Sequence, residues 1–474
     1  MAQDLTNAPR TAGFAFAALT VLAFAASLLI PVLNPGQDAL MMVPLALVVA
    51  VWAIPLIAAL LRGEPWAFVL ALALLIFFTE ASFRARSWAD KTIDAQVMVK
   101  AVVWLVLGGV GMIRLSRSGG LLGRPPAMWA LLFIALLFVS ALWSPIPLYT
   151  LQSATVYLLM FVFGVAAAEV LDERQLLFAL ALGTGMIVLP SLAISPFAQG
   201  FAPPSPGSTG TADRLRGLAD HPIPLADIAS VFTFAIITLW LRAKGFALRW
   251  SLALLALAGA ATVLLTQSRL PPAAMLASAL ALAAYRRGGA LLLVPTLTLC
   301  VALVALMESV GGFANMLPDD ILALMSRSGS SHEVLTVSGR MEIWQQVVER
   351  IWQAPLFGHG HASGLVLFKS FVHWKITHAH NFYLQVLLYT GLLGFCILGM
   401  ALMSQLRLMA ARPSPVRDTL VLYTLLKGVT EQSILSNMPA ATVTIWAVTV
   451  GMAAVAWRAR KRPAPTPKPV EQPI

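Results

Sequence analysis

The chain has 474 residues, of which 59% are hydrophobic and only 11% charged. A water-facing surface carries roughly a quarter charged residues, so a soluble globular chain is excluded, as are a disordered chain and a disulfide scaffold built on two cysteines. The net charge of +11 belongs to the loops of a membrane protein and calls for no nucleic acid.

These numbers predict an all-α polytopic membrane protein. Apolar runs of span length lie near 12–33, 39–61, 65–81, 97–113, 127–143, 148–169, 175–195, 223–241, 249–266, 271–285, 289–308, 382–406, 418–435 and 437–457. The expectation is about 12–14 spans. The first run is too long for a signal-peptide core and is read as a span. Runs 65–81 and 271–285 are short, and 418–435 carries Lys427 and Glu431. Four residues apart, these two are expected to pair on one helix face. The expected organisation is an N-terminal bundle (1–308), a large periplasmic loop (309–380), C-terminal spans (381–457) and a basic cytoplasmic tail (458–474). Placing both termini in the cytoplasm leaves most of the 32 basic residues inside and all seven histidines outside. Chemistry is therefore expected on the outer, periplasmic face.

Within the large loop, Ser338 is a candidate N-cap. Ile343, Trp344, Val347, Val348, Ile351 and Trp352 then recur at helical spacing, which predicts an amphipathic helix that lies on the bilayer or caps the bundle. Gly358 and Gly360 mark a turn.

The densest polar cluster is His378-Ala379-His380-Asn381, where the loop meets a span. Taken alone it reads as a polar helix cap. Arg214 and Arg216 precede the span at 223, and Arg269 ends another. Any one interfacial Arg is commonly a snorkelling side chain. Several of them on the outer face suit an anionic headgroup, because guanidinium forks match phosphate oxygens. The pairs His359/His361 and His378/His380 offer nitrogen ligands, but their spacing is not that of a common zinc motif.

Four pieces in order resemble the O-antigen ligase and polymerase superfamily: Arg214-Leu215-Arg216-Gly217 with His221-Pro222; Ser268-Arg269; Ser338-Gly339-Arg340 with Ile343-Trp344, Pro355, Gly358 and Gly360; and His378-Ala379-His380-Asn381 with Leu384, Gly391 and Gly394. Where that family often has Asn after His-Pro, this chain has Ile223. The resemblance implies a GT-C-like bundle in the bacterial inner membrane, active at the periplasmic face with no metal or cofactor. It implies a glycosyltransferase that takes a glycan from undecaprenyl pyrophosphate. The acceptor is a lipid A core sugar for a ligase, or another lipid-linked glycan for a polymerase. Carried over, His380 is the catalytic residue, Arg214 and Arg269 bind phosphate, and Arg216, Arg340 and Asn381 join the substrate site. His378 lies two residues from His380, and in a helix the two would point about 200° apart, so only one is expected to face the site. A flippase of anionic glycolipids is the competing class. It predicts charges along a path through many spans, whereas here they gather at one outer level.

Overall fold

The computed structural model describes residues 53–82, 95–195, 214–219, 221–268, 270–289, 340–368, 377–429 and 431–460. Expected spans at 12–33 and 289–308, and the candidate residues Ser338 and Arg269, lie outside them, as does the side chain of Arg340. The described residues are helical, with no strand among them. In chain order the helices are α1 (Ala53–Arg62), α2 (Pro65–Glu80), α3 (Ala95–Ser116), α4 (Pro125–Val139), α5 (Pro147–Val170), α6 (Glu173–Ile194), α7 (Pro222–Arg242), α8 (Phe246–Thr266), α9 (Leu270–Gly288), α10 (Arg340–Gln353), α11 (Gly364–Leu367), α12 (Phe382–Ala411), α13 (Pro415–Lys427) and α14 (Ala441–Arg460). Eight of them are long and apolar enough to cross a membrane, and α1 and α2 are shorter apolar helices.

Local chemistry sets the helix starts. Pro occupies the first turn of α2, α4, α5, α7 and α13, where its missing N–H leaves no helix bond unmade. Asp172 and Gln175 form a reciprocal capping box at α6. The centre of the bundle is α5, which packs against α2, α3, α4 and α14. Its small residues allow close approach: a Cβ on Gly164 would meet Ala447 of α14 at 2.6 Å. By contrast α8 keeps most of its surface outward, as a lipid-facing helix does.

Successive helices alternate in direction, so the bundle has two ends. At one end Glu80 of α2 accepts from the Ala441 amide at the start of α14. At the other, Arg458 reaches Glu169 and Arg242 reaches Glu173. The helix starts at Pro147, Pro222, Phe382 and Ala441 share the first end, and the histidine segment lies there.

One helix is deliberately broken. Gly391 inside α12 has φ 61° and ψ −164°, a conformation open to glycine alone. The break frees carbonyls and amides that a membrane cannot hydrate. The segment 355–360 supplies their partners. His359 and Gly360 amides donate to Leu388 and Tyr389 carbonyls at 2.8 and 3.0 Å, while Leu392 and Leu393 amides donate to Pro355 and Leu356 carbonyls at 2.8 and 3.1 Å. A Cβ on Gly391 would stand 2.4 Å from the Leu356 backbone, and one on Gly358 2.5 Å from that of Tyr389. The glycines at 358 and 391 thus exist to let two backbones touch.

One sequence expectation is corrected, and another is seen in more detail. The run 418–435 is not one span: α13 ends at Lys427, and the described residues between it and α14, 428–429 and 431–440, are non-helical. On the amphipathic helix α10, Ile343 and Val347 are buried against the bundle, with Trp344 and Ile351 half-buried, but Trp352 is 76% exposed and Val348 also faces out. Among the described residues α10 packs chiefly on α12, so part of its apolar face is turned outward, as in a helix that lies along the bilayer.

Candidate functional site

The site segment, Thr377–Asn381, is held from every side. Asn381 is the N-cap of α12: its Oδ1 accepts from the Leu384 amide at 3.0 Å, and its Nδ2 donates to the Val429 carbonyl at 2.8 Å. The Phe382 amide donates to the Gly428 carbonyl at 2.8 Å. These bonds stitch the chain after α13 to the start of α12. Gln385, fully buried, accepts from the Ala379 amide at 2.7 Å, and the Trp344 indole of α10 donates to the Ala379 carbonyl at 2.9 Å. Asn437 Nδ2 donates to the Thr377 carbonyl at 2.9 Å.

Inside this frame His380 adopts a left-handed backbone, φ 48°. Such a conformation costs of order 1–3 kcal/mol in a residue with a Cβ and persists only where the surroundings over-determine it. It brings the His380 Nδ1 to 3.2 Å from Oε2 of Glu431. The ring is about a quarter exposed while the Glu431 side chain is 5% exposed. A buried carboxylate therefore backs a partly exposed ring. With the carboxylate ionised, Nδ1 carries the proton and donates it, and Nε2 holds the lone pair.

The other expectations divide. His378 does not point away from His380: the two ring centroids are 4.0 Å apart. The 200° argument fails because Thr377–Asn381 is not helical and the left-handed turn at His380 folds the two rings together. Lys427 and Glu431 do not pair. Lys427 binds Asp227 of α7, and Glu431 turns to His380, because the helix stops between them. The two His-x-His pairs do not meet either. His359 Nε2 lies 2.8 Å from the Arg350 carbonyl, whereas His361 is fully buried, its Nε2 2.8 Å from Ser153 Oγ. Burial pushes the His361 ring down to about 3 from its ordinary 6.5.

Arg214 is only 4% exposed. Its Nε donates to the Thr266 carbonyl at 2.9 Å and its Nη2 to Ser268 Oγ at 2.7 Å. It therefore ties down an orphan carbonyl at the end of α8 and the residue next to Arg269. Arg216 is half-buried in the same turn. The Leu218 carbonyl accepts from the Ser82 amide at 2.7 Å, which seats this turn at the end of α2. His221 caps α7, its Nδ1 accepting from the Ile223 amide at 3.3 Å. The residue that differs from the family habit thus contributes its backbone.

Glu431, Gln385 and Asn437 were not singled out as site residues from sequence. Glu431 had a signal, a carboxylate in an apolar run, but spacing pointed to the wrong partner.

The fold, with the His380–Glu431 contact and the Arg214 turn at the same end of the bundle, defines a multi-pass α-helical membrane protein with polar groups gathered at that end. Residues 227–399 match the family model described as O-antigen ligase (Wzy_C), which bears out the resemblance to the O-antigen ligase and polymerase superfamily. An O-antigen ligase-like or polymerase function, and with it glycosyltransferase-type activity on a lipid-linked glycan donor, goes with that match. The matched segment contains His380, Asn381 and Gly391, while Arg214 and Glu431 lie outside it. No curated protein matches the chain.

Proposed function

We propose that the protein is a ligase-type glycosyltransferase, which moves a glycan from undecaprenyl pyrophosphate to a sugar hydroxyl of the lipid A core at the periplasmic face of the inner membrane. The observation that carries this reading is the His380–Glu431 contact at the bundle end, inside a frame that fixes the ring. A sugar hydroxyl is a weak nucleophile. His380 Nε2 takes its proton as the acceptor oxygen bonds to the anomeric carbon. The bond from that carbon to the pyrophosphate oxygen breaks, and Glu431 stabilises the imidazolium that forms.

The leaving group departs with negative charge. Arg214, Arg216, Arg269 and Arg340 are the proposed holders of that charge. The Arg214 bonds support a double role, since they fix the approach to Arg269 while keeping a guanidinium at the same bundle end. Positive-inside bias supports the orientation: Arg62, Arg114, Arg124, Arg174, Arg242 and Arg458 gather at the end opposite His380. Asn381 acts by capping α12 and setting the turn, which makes it a positioning residue.

A polymerase would use the same donor chemistry and differ in acceptor. Deletion followed by gels of lipopolysaccharide and of lipid-linked glycan separates them. Uncapped lipopolysaccharide with full-length lipid-linked polymer retained is the ligase result. Single-unit glycans would assign a polymerase instead. Transfer by purified protein in nanodiscs is expected to survive EDTA. Loss of transfer that a divalent metal restores would overturn the metal-independent mechanism.

A further inference from the structure

We infer that His378, His380 and Glu431 form a binding site for a borderline transition cation of the Zn²⁺ class, and that occupancy switches the transferase off. Each residue offers one ligand atom, and the three atoms lie within 4.8 Å of one another. In a tetrahedral zinc site with bonds of 2.0–2.2 Å, neighbouring ligand atoms stand about 3.3 Å apart. The His380 Nδ1 to Glu431 Oε2 distance of 3.2 Å is already such an edge. His378, whose partly buried ring has its Nδ1 3.3 Å from Thr377 Oγ1, needs to exchange that contact and close by up to about 1.5 Å to complete the face. Two imidazoles and a carboxylate are a donor set zinc accepts, with the fourth position open to water. The backbone that carries them is pinned by Gln385, Trp344, Asn381 and Asn437, so little ordering remains to be done on binding.

The inhibitory half rests on the reading of His380 as general base. Coordination at Nδ1 takes the lone pair there and leaves the ring's single proton on Nε2. The atom that must accept the acceptor's proton is then already protonated. Glu431 is drawn to the metal and no longer stabilises an imidazolium.

The test uses full-length, tag-free protein in nanodiscs, dialysed against ZnCl₂. One Zn²⁺ per chain is expected, with at least tenfold weaker binding in His378→Ala. Zinc-edge X-ray absorption on the wild type should report two imidazole nitrogens in the first coordination shell, a readout that needs no variant. Zn²⁺ should block glycan transfer reversibly, and His378→Ala should retain transfer while resisting the block. Absence of stoichiometric binding, or of imidazole nitrogen around the bound ion, overturns the site and leaves the transferase reading intact. Binding at these residues together with transfer that requires zinc keeps the site and overturns the general-base reading. Binding without inhibition overturns the switch.

Discussion

His380 and Glu431 are in contact at 3.2 Å, and their proposed joint role makes a prediction that a lone histidine does not. His380→Ala should lower the rate roughly 10²–10⁴-fold with donor binding largely intact. Glu431→Gln should lower kcat on the order of 10²-fold with KM for acceptor little changed, because it frees the ring tautomer without touching substrate. Glu431→Asp should recover part of that loss. A Glu431→Gln defect confined to KM or to protein yield would reduce Glu431 to a packing residue. For the arginines, Arg214→Lys should be nearly as poor as Arg214→Ala in transfer assays at matched protein level, since one ammonium cannot serve Thr266, Ser268 and an anion together. Near-normal transfer by Arg214→Lys would remove Arg214 from the site. His380, Asn381 and Arg214 were legible in the sequence because they sit in short motifs. Glu431 was not, because its partner is fixed by where α13 stops, and a Gly428 turn inside an apolar run gives no periodic signal. The closeness of His378 and His380 was hidden for a similar reason: one left-handed residue reverses the side on which a neighbour falls.

At the scale of elements, the decisive unit is the loop of residues 354–363 plugged into broken α12. Four backbone hydrogen bonds depend on Gly391, and each unmet group in a membrane costs several kcal/mol. Gly391→Ala is therefore expected to destabilise by about 3 kcal/mol or more, read as a lower unfolding temperature in detergent and loss of the monodisperse peak. An unchanged melt would mean that the break is not needed. The same loop carries His361 into the bundle. Ser153 Oγ donates to the Asn437 carbonyl at 2.8 Å, so His361 Nε2 donates to Ser153 and Nδ1 is a bare lone pair, without a partner among the described residues. Burial holds that ring at about 3, whereas the unfolded ring ionises at 6.5. Between those values the unfolded chain binds a proton that the folded one refuses. Stability should be complete above pH 6.5 and fall as pH drops toward 3. His361→Gln should flatten this dependence in a melting series across that window; an identical slope in the variant would exonerate the ring. The sequence showed Gly358, Gly360 and Gly391 as motif members, yet not that they face each other, since that contact joins residues on two different elements.

Across the described residues, hydropathy places most of the bundle helices, and those from α3 to α9 fall within a few residues of their apolar runs. Hydropathy cannot choose which helices touch, and in this bundle that choice is marked by buried charge. Asp227 of α7 binds both Lys427 and the Tyr423 hydroxyl of α13, and Lys427 is 7% exposed. The pair joins the half of the bundle that carries the Arg214 turn to the helix whose end delivers Glu431 to His380. A charge in such surroundings is tolerable while paired and expensive alone. Asp227→Asn or Lys427→Met should each cost about 3–5 kcal/mol, since each strands the other partner. The double variant should regain most of that stability, because no unpaired charge remains. It should still transfer glycan if the pair is a structural joint, with the Glu431 geometry kept by the Asn381 and Phe382 bonds to Val429 and Gly428. The measurement is a double-mutant cycle on unfolding in detergent, run beside the transfer assay. Recovery of stability without recovery of transfer would show that Asp227 and Lys427 take part in the chemistry. Additive loss in the cycle would mean that the two charges do not support each other at all.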